Sequence, residues 1–222
     1  MPPHTCHHGR VSPLRGWPSF PDEPPDFDPA SAPEQPDALF LAWLADAGEY
    51  ALAPHATVLS TVDSEGAPDA RVVILKEVDA AGWQIATSAL SPKGRQLGAN
   101  PRVALTFFWP QRARQVRIRG TATPAAAELS AADFRERPPA SKVESLIGNQ
   151  SEILSDPAEL TRAARAAEHR VATEPDPVPA GWTRYLITAE SVEFWQGRQD
   201  RLHIRLRYTR EATGWRTERL WP

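Results

Sequence analysis

One cysteine, Cys6, and one methionine are all the sulfur that this 222-residue chain carries. A single thiol excludes an internal disulfide and suits a reducing cytoplasm, where the protein is expected. No apolar run is long enough to span a bilayer. No charged-then-apolar leader opens the chain. Neither sign of charge dominates: 25 Lys and Arg face 28 Asp and Glu, a net of -3. That balance argues against a general nucleic-acid binder, which needs a basic excess. No GxGxxG or Walker loop is present, so a Rossmann or P-loop cofactor site is not expected. Internal repeats are absent too.

Proline, by contrast, is abundant at 23 residues, and much of it lies in residues 1–35. That stretch has little periodic apolar sequence and reads as a flexible arm, with one ordered domain over 36–222. The cluster His4-Thr5-Cys6-His7-His8 has metal-ligating side chains. It has no second ligand group at zinc spacing, so no metal is expected. The abundance of Ala, Arg, Pro and Trp is consistent with a GC-rich bacterial genome.

Beyond the arm, Asp37 to Tyr50 places Leu39, Phe40, Trp43, Leu44 and Ala47 on one helical stripe, with Pro36 suited to the first turn. Thr57–Val62 and Arg71–Lys76 read as strands of a hairpin around the turn chemistry of Asp63-Ser64-Glu65-Gly66. Further strands are expected at Trp83–Thr87, Val103–Trp109 and Gln115–Ala122, with a short helix at Lys93–Leu97. Pro124 is expected to open an alanine-rich helix to about Arg135, and Asp156-Pro157 another that ends before Glu174. Leu186–Ile187, Val192–Trp195, His203–Tyr208 and Trp215–Leu220 complete the strands. Many short antiparallel strands with inserted helices imply a mainly β fold, a closed barrel with peripheral helices.

From Arg201 to Tyr208 the residues alternate strictly. Leu202, Ile204, Leu206 and Tyr208 fall on one face of a strand, and Arg201, His203, Arg205 and Arg207 on the other. Three guanidiniums and an imidazole on one face call for an anion or for solvent. On spacing alone a solvated edge strand is an equal reading. Likewise Arg71 and Lys76 bracket an apolar strand, which spacing alone leaves as a strand with charged ends. Thr87-Ser88-Ala89-Leu90-Ser91-Pro92-Lys93 is a hydroxyl-rich turn feeding a helix N-terminus, a ready phosphate site.

The phrase Phe194-Trp195-Gln196-Gly197 followed by Arg201-Leu202-His203-x-Arg205 resembles the C-terminal signature of the pyridoxamine 5'-phosphate oxidase family, which are FMN enzymes. The resemblance runs from about Pro36 to Pro222. It implies an antiparallel Greek-key split barrel that binds FMN at a homodimer interface, two sites per dimer. Arg71-Val72-Val73-Ile74-Leu75-Lys76 is similar to the family's first FMN segment, and Thr87, Ser91 and Lys93 to its phosphate turn. Gln115 matches the glutamine on the isoalloxazine ring. Gln150 and Ser151 match the pair that reaches FMN from the second subunit, and Trp195 and Arg205 match C-terminal cofactor contacts. The resemblance further implies an N-terminal arm able to cover the site.

Substrate contacts carried over by the same resemblance are Lys76, the Asp133 position, Arg137, Ser141, Arg201 and His203, the last two as catalytic residues. Four departures stand out. The family's Ser-Gln-Ile-Gly-Ala stretch is Ser141-Lys142-Val143-Glu144-Ser145. The family's Ser-Arg-Lys is Ser91-Pro92-Lys93, one arginine short. The tyrosine that holds the vitamer's phosphate is Asp133, and the aspartate of Arg-Leu-His-Asp-Arg is Ile204. Two like charges 4 Å apart repel by about 4 kcal/mol at an effective dielectric near 20, so Asp133 is expected to weaken phosphate binding. Cofactor residues are mostly kept and phosphate-recognition residues partly lost. The phrase Arg205-Leu206-Arg207-Tyr208…Thr213-Gly214-Trp215…Arg219-Leu220 is similar to the flavin oxidases of phenazine biosynthesis. The expected activity is hydride transfer between flavin N5 and an anionic aromatic or heteroaromatic specialised metabolite, with O2 or NAD(P)H as second partner. Alternatives are a true pyridoxine/pyridoxamine 5'-phosphate oxidase, a deazaflavin relative, and a non-catalytic flavin or vitamer binding module.

Overall fold

The computed structural model describes residues 13–222. The histidine and cysteine cluster at residues 4–8 lies outside them. Eight strands form one antiparallel sheet: β1 Ala56–Val62, β2 Pro68–Asp79, β3 Gly82–Ser88, β4 Arg102–Trp109, β5 Arg114–Pro124, β6 Trp182–Gln196, β7 Ile204–Glu211 and β8 Gly214–Leu220. Their order is β3-β2-β1-β4-β5-β6-β7-β8, and β3 also pairs with β6. That extra pairing closes the first six strands into a barrel. Because β4 returns beside β1, the order is that of a Greek key. Among the described residues five α-helices decorate it: α1 Pro36–Gly48, α2 Pro92–Ala99, α3 Ala127–Glu136, α4 Pro139–Ile147 and α5 Pro157–Thr173.

β6 is one continuous 15-residue strand, where the sequence suggested two short ones. Its first half pairs with β3, from Trp182↔Ser88 to Ile187↔Trp83, and its second half with β7, from Ser191↔Thr209 to Gln196↔Ile204. The change of partner falls at a bulge, where the β5 register shifts between Arg119 and Gly120. A Cβ on Gly120 would lie 2.1 Å from the Thr188 carbonyl oxygen, so only glycine lets the two strands approach there. Pro124 ends β5 opposite Tyr185 and does not open a helix; α3 begins at Ala127. α4 was not expected from the sequence, because Pro138-Pro139 reads as a break. Pro139 instead takes the first helical position, where its missing N–H costs nothing.

The barrel fills with the inward side chains of alternating strands, including Leu59, Ile85, Leu105, Phe107, Ile118 and Ile187. α1 plugs one end. Phe40 lies edge-on to Phe107 and Trp83, at 4.8 and 5.7 Å, and Trp43 to Phe194 at 5.2 Å. Residues 17–35 run along this end of the barrel. Phe27 packs edge-on to Trp43 at 5.1 Å, and the Tyr208 hydroxyl donates to the Pro33 carbonyl at 2.8 Å.

Burial pushes the Tyr208 phenol up to about 12 from its ordinary 10.0. A raised folded value means that the stability tied to the neutral phenol is whole below pH 10 and lost as pH climbs toward about 12. Tyr208→Phe strands the Pro33 carbonyl and is expected to cost about 1–2 kcal/mol in urea unfolding at neutral pH. The variant's remaining stability should fall less steeply than the wild type's over that alkaline span.

Candidate active site

A cavity of about 960 Å³ lies between β2, the turn from β3 into α2, α4 and the start of β6. At its base Ser91 caps α2. Its hydroxyl accepts from the Gly94 N–H at 3.2 Å and donates to the Ser88 carbonyl at 2.7 Å. A Cβ on Gly94 would lie 2.3 Å from that same carbonyl oxygen, so the turn can close this tightly only around glycine. Lys93 is 8% exposed, with Nζ 3.0 Å from Gln150 Oε1. Burial, then the charge of Arg71, lowers its ammonium pKa, against Glu144 and Asp69. Thr87 is buried in the same wall. A lysine, two hydroxyls and a helix N-terminus form a donor set that fits a phosphate. Pro92, at the first helical position, offers that phosphate neither a guanidinium nor an N–H.

Val72, Val73, Lys76, Thr87, Ser91, Lys93, Arg137, Ser141 and Gln150 all line this cavity. Arg71 does not. Its guanidinium donates to the Leu59 carbonyl at 3.2 Å, Thr61 Oγ1 at 2.6 Å and Gln96 Oε1 at 3.1 Å, and pairs with Asp69. Asp133 also stays out of the wall, which Trp182 supplies in its place. The Trp182 indole N–H donates to Asp133 Oδ2 at 3.0 Å, and Lys76 Nζ lies 3.6 Å from Oδ1. Asp133 is therefore already met by a cation and a donor, a different situation from the free carboxylate expected. Arg137 stacks on the Trp182 ring at 4.3 Å and reaches Glu144 at 3.4 Å, while its Nε is buried with no hydrogen-bond partner. Burial, first among the causes, lowers the Arg137 pKa.

Gln115, Trp195 and Arg205 form a second group. They are direct cross-strand neighbours, Phe108↔Gln115↔Trp195↔Arg205, on the outer face of the sheet. The adjacent row on that face runs Val72↔Val58↔Thr106↔Arg117↔Glu193↔Arg207. The cofactor motifs of β2, β5, β6 and β7 thus share one surface, on which Val72, Ile74 and Phe108 are exposed. The alternation seen in the sequence holds only from Ile204 onward. Arg201 lies in a left-handed turn with φ 64°, and Leu202 is exposed. The anions that the arginines need come from the chain itself: Arg205 donates to Glu193 at 2.8 Å and Arg207 to Glu218 at 2.8 Å.

A third group surrounds Arg201 and His203, just before β7. His203 packs on Trp195 at 4.8 Å and on Phe20 at 5.5 Å, and the Arg201 guanidinium lies 5.1 Å from the Phe20 ring centre. Neither residue borders the cavity; nor does Ser151, whose φ is 72°. Trp182 and Phe20 went unnoticed in the sequence. Nothing in a lone tryptophan at a strand start signals its neighbours.

A closed six-strand barrel with a phosphate-fitting helix turn beside a cavity is the arrangement of a split-barrel protein that holds a phosphorylated cofactor. Residues 46–196 match the family model described as pyridoxamine 5'-phosphate oxidase, and residues 182–222 the pyridoxine 5'-phosphate oxidase C-terminal dimerisation region. The chain belongs to the pyridoxamine 5'-phosphate oxidase family, and FMN is its cofactor. It is 41% identical to the pyridoxine/pyridoxamine 5'-phosphate oxidase of Pseudomonas paraeruginosa, over 87% of this chain and 91% of that one. The Pseudomonas fluorescens (strain SBW25) enzyme of the same name is 42% identical over the same shares. Among solved structures it is similar to PhzG from Burkholderia lata 383 in complex with tetrahydrophenazine-1-carboxylic acid, with a TM-score of 0.84 and 28% identity over 90% of this chain and 99% of that one.

Proposed function

We propose that this chain oxidises an anionic aromatic or heteroaromatic small molecule whose charge is a carboxylate, and that it works as a homodimer. When bound, FMN would supply a hydride acceptor at N5, with O2 as the terminal electron acceptor giving hydrogen peroxide; were NAD(P)H the partner instead, it would reduce the flavin and the net reaction would be a reduction of the substrate. Lys93, Ser91 and Thr87 hold the FMN phosphate. Val72 and Val73, on the cavity wall, would flank the cofactor, and Arg71 would act through its charge from outside the wall. Gln115, Trp195 and Arg205, with Gln150 and Ser151, complete the cofactor site across two copies. The match of residues 182–222 to a dimerisation region supports this assembly, as does the exposed apolar side chain set on the motif-bearing face. Arg201 and His203 orient the substrate over the ring.

The observation that carries the substrate class is the charge at the cavity's far end. Lys76 already faces Asp133 at 3.6 Å, and Arg137 already faces Glu144 at 3.4 Å. Arg137 Nε is the donor left unmet, and Ser141 adds a hydroxyl. Such a set suits a monoanion better than a phosphate dianion. A second reading, pyridoxine/pyridoxamine 5'-phosphate oxidation, is favoured by Lys76, Arg137 and Ser141 standing together on the wall and by the name of the 41–42% identical relatives.

Anaerobic titration of the FMN-loaded protein separates the two. Tetrahydrophenazine-1-carboxylic acid is expected to bleach the flavin band, with recovery in air. Pyridoxamine 5'-phosphate should bleach it at least about tenfold more slowly, the equivalent of ~1.4 kcal/mol of uncompensated charge. Equal or faster bleaching by the phosphate would establish the vitamin reading in its place.

A further inference from the structure

We propose that Asp200 and Phe20 are positioning residues that hold His203 as a neutral imidazole with its proton on Nε2, so that the ring offers the substrate a donor and not a base. This rests on the reading above, which sets His203 beside the substrate. The Arg198 backbone N–H donates to His203 Nδ1 at 3.1 Å. A ring nitrogen that accepts a hydrogen bond keeps its lone pair, which leaves the proton of the neutral ring to Nε2. Protonating Nδ1 would require breaking that bond, so the imidazolium is disfavoured by geometry.

The geometry is built by Asp200. Its carboxylate accepts a two-pronged contact from Arg198, Nε at 3.1 Å and Nη2 at 2.7 Å. It also accepts the Leu202 N–H at 3.0 Å, which closes an Asx turn over Arg201. Arg201 is held there at φ 64°, a conformation that a non-glycine residue keeps only when its surroundings impose it. Both Arg198, which donates to Nδ1, and Leu202, which precedes the ring, are therefore tied to one carboxylate.

Phe20 closes the other side. It meets His203 edge-on at 5.5 Å, Trp195 at 5.8 Å and the Arg201 guanidinium at 5.1 Å. Gln199 anchors this segment by donating to the Pro21 carbonyl at 2.6 Å. The charged groups around the ring are Arg198, Asp200 and Arg201 from its own loop and Asp26 from the N-terminal segment, whose charge reaches Arg198. β6 contributes Trp195. Burial first, and then the Arg201 charge, lowers the His203 pKa, with Asp200 opposing. Burial and the Arg201 charge act in the same direction as the geometry, and the Asp200 charge acts against it.

The test is two-bond proton–nitrogen NMR of the 15N-histidine, FMN-loaded protein without substrate, with His203 identified by the signal lost in His203→Gln. The wild type is expected to show the Nε2–H form and to titrate below the ordinary 6.5. Asp200→Ala should give mixed tautomers. Asp200→Asn keeps an acceptor for Leu202 and should restore the Nε2–H form. Phe20→Ala should raise the pKa by admitting water, without changing the tautomer. A wild-type ring protonated on Nδ1, or titrating at its ordinary value, overturns the proposal. An Asp200→Ala spectrum identical to wild type removes Asp200 from it, and an unmoved pKa in Phe20→Ala removes Phe20. Because no substrate is present, the result stands apart from whichever compound bleaches the flavin.

Discussion

Lys93→Glu is expected to purify colourless. Lys93 is the cation buried at the base of the cavity, beside the N-terminus of α2. Losing a charge-assisted hydrogen bond costs about 1.5–3 kcal/mol, and a carboxylate 4 Å from a phosphate adds repulsion of ~4 kcal/mol at an effective dielectric near 20. Together they weaken FMN by three orders of magnitude or more, roughly 1.4 kcal/mol per tenfold. The absence of an arginine at Pro92 sharpens the effect, since no neighbouring guanidinium takes over. Fluorescence titration of apo-protein with FMN measures it, and Lys93→Arg should recover most of the affinity.

The pH dependence of Lys93 has two opposite signs. Its folded pKa lies below the ordinary 10.5, so the folded chain releases this proton before the unfolded chain does. Its own contribution to stability therefore increases as pH rises toward 10.5, whereas FMN affinity falls over the same range. Flavin release at alkaline pH without unfolding is the expected signature, read by filtration of the holoprotein against far-UV circular dichroism.

Asp46→Ala is expected to be the most destabilising single change outside the barrel core. Asp46 accepts from Arg112 Nε and Nη2 at 2.7 and 2.9 Å and from Arg114 Nη1 at 2.8 Å. Arg114 is also held by Gln196 Oε1 at 2.9 Å and stacks on Trp43 at 4.3 Å. Burial, above all, lowers the Arg114 pKa, and Asp46 is the charge that opposes this. Removing the carboxylate leaves two adjacent guanidiniums facing each other over α1. Because Asp46 keeps 28% side-chain exposure, the cost sits at the low end for a broken buried pair, about 3 kcal/mol. In thermal unfolding that is a loss of roughly 10 °C for a domain of this size. The double variant Asp46→Ala with Arg112→Ala should recover part of it, because one of the uncompensated charges is then gone.

The elements that the sequence revealed are those whose burial is periodic. α1 was legible because Leu39, Phe40, Trp43 and Ala47 repeat at helical spacing and all of them are buried. β7 was legible from Leu206 and Tyr208, but its alternation ran on falsely into Arg201 and Leu202. Polar–apolar alternation continues through a turn as easily as through a strand, and only the backbone at Arg201 distinguishes the two. β6 looked like two strands because its bulge at Glu190 interrupts the period of two. α4 was hidden by Pro138-Pro139, which as a dipeptide says break although its second member starts a helix. At the site, the lysines, serines and Arg137 of the cavity were reachable through the family motif. The pairing of Asp133 with Lys76 and Trp182 was not, because these residues lie on three separate elements and no spacing links them.

The double membership of β6 also determines when the chain can acquire its shape. Arg184 hydrogen-bonds Gln84 across the closing seam, 100 residues away in sequence. Until that late strand leaves the ribosome, β3 presents an unpaired edge and the barrel stays open. High sequence separation of this kind makes closure slow compared with local hairpins. Nascent chains stalled before Trp182 are expected to need chaperone cover, and synthesis of the last 40 or so residues completes the barrel and the tail in one event.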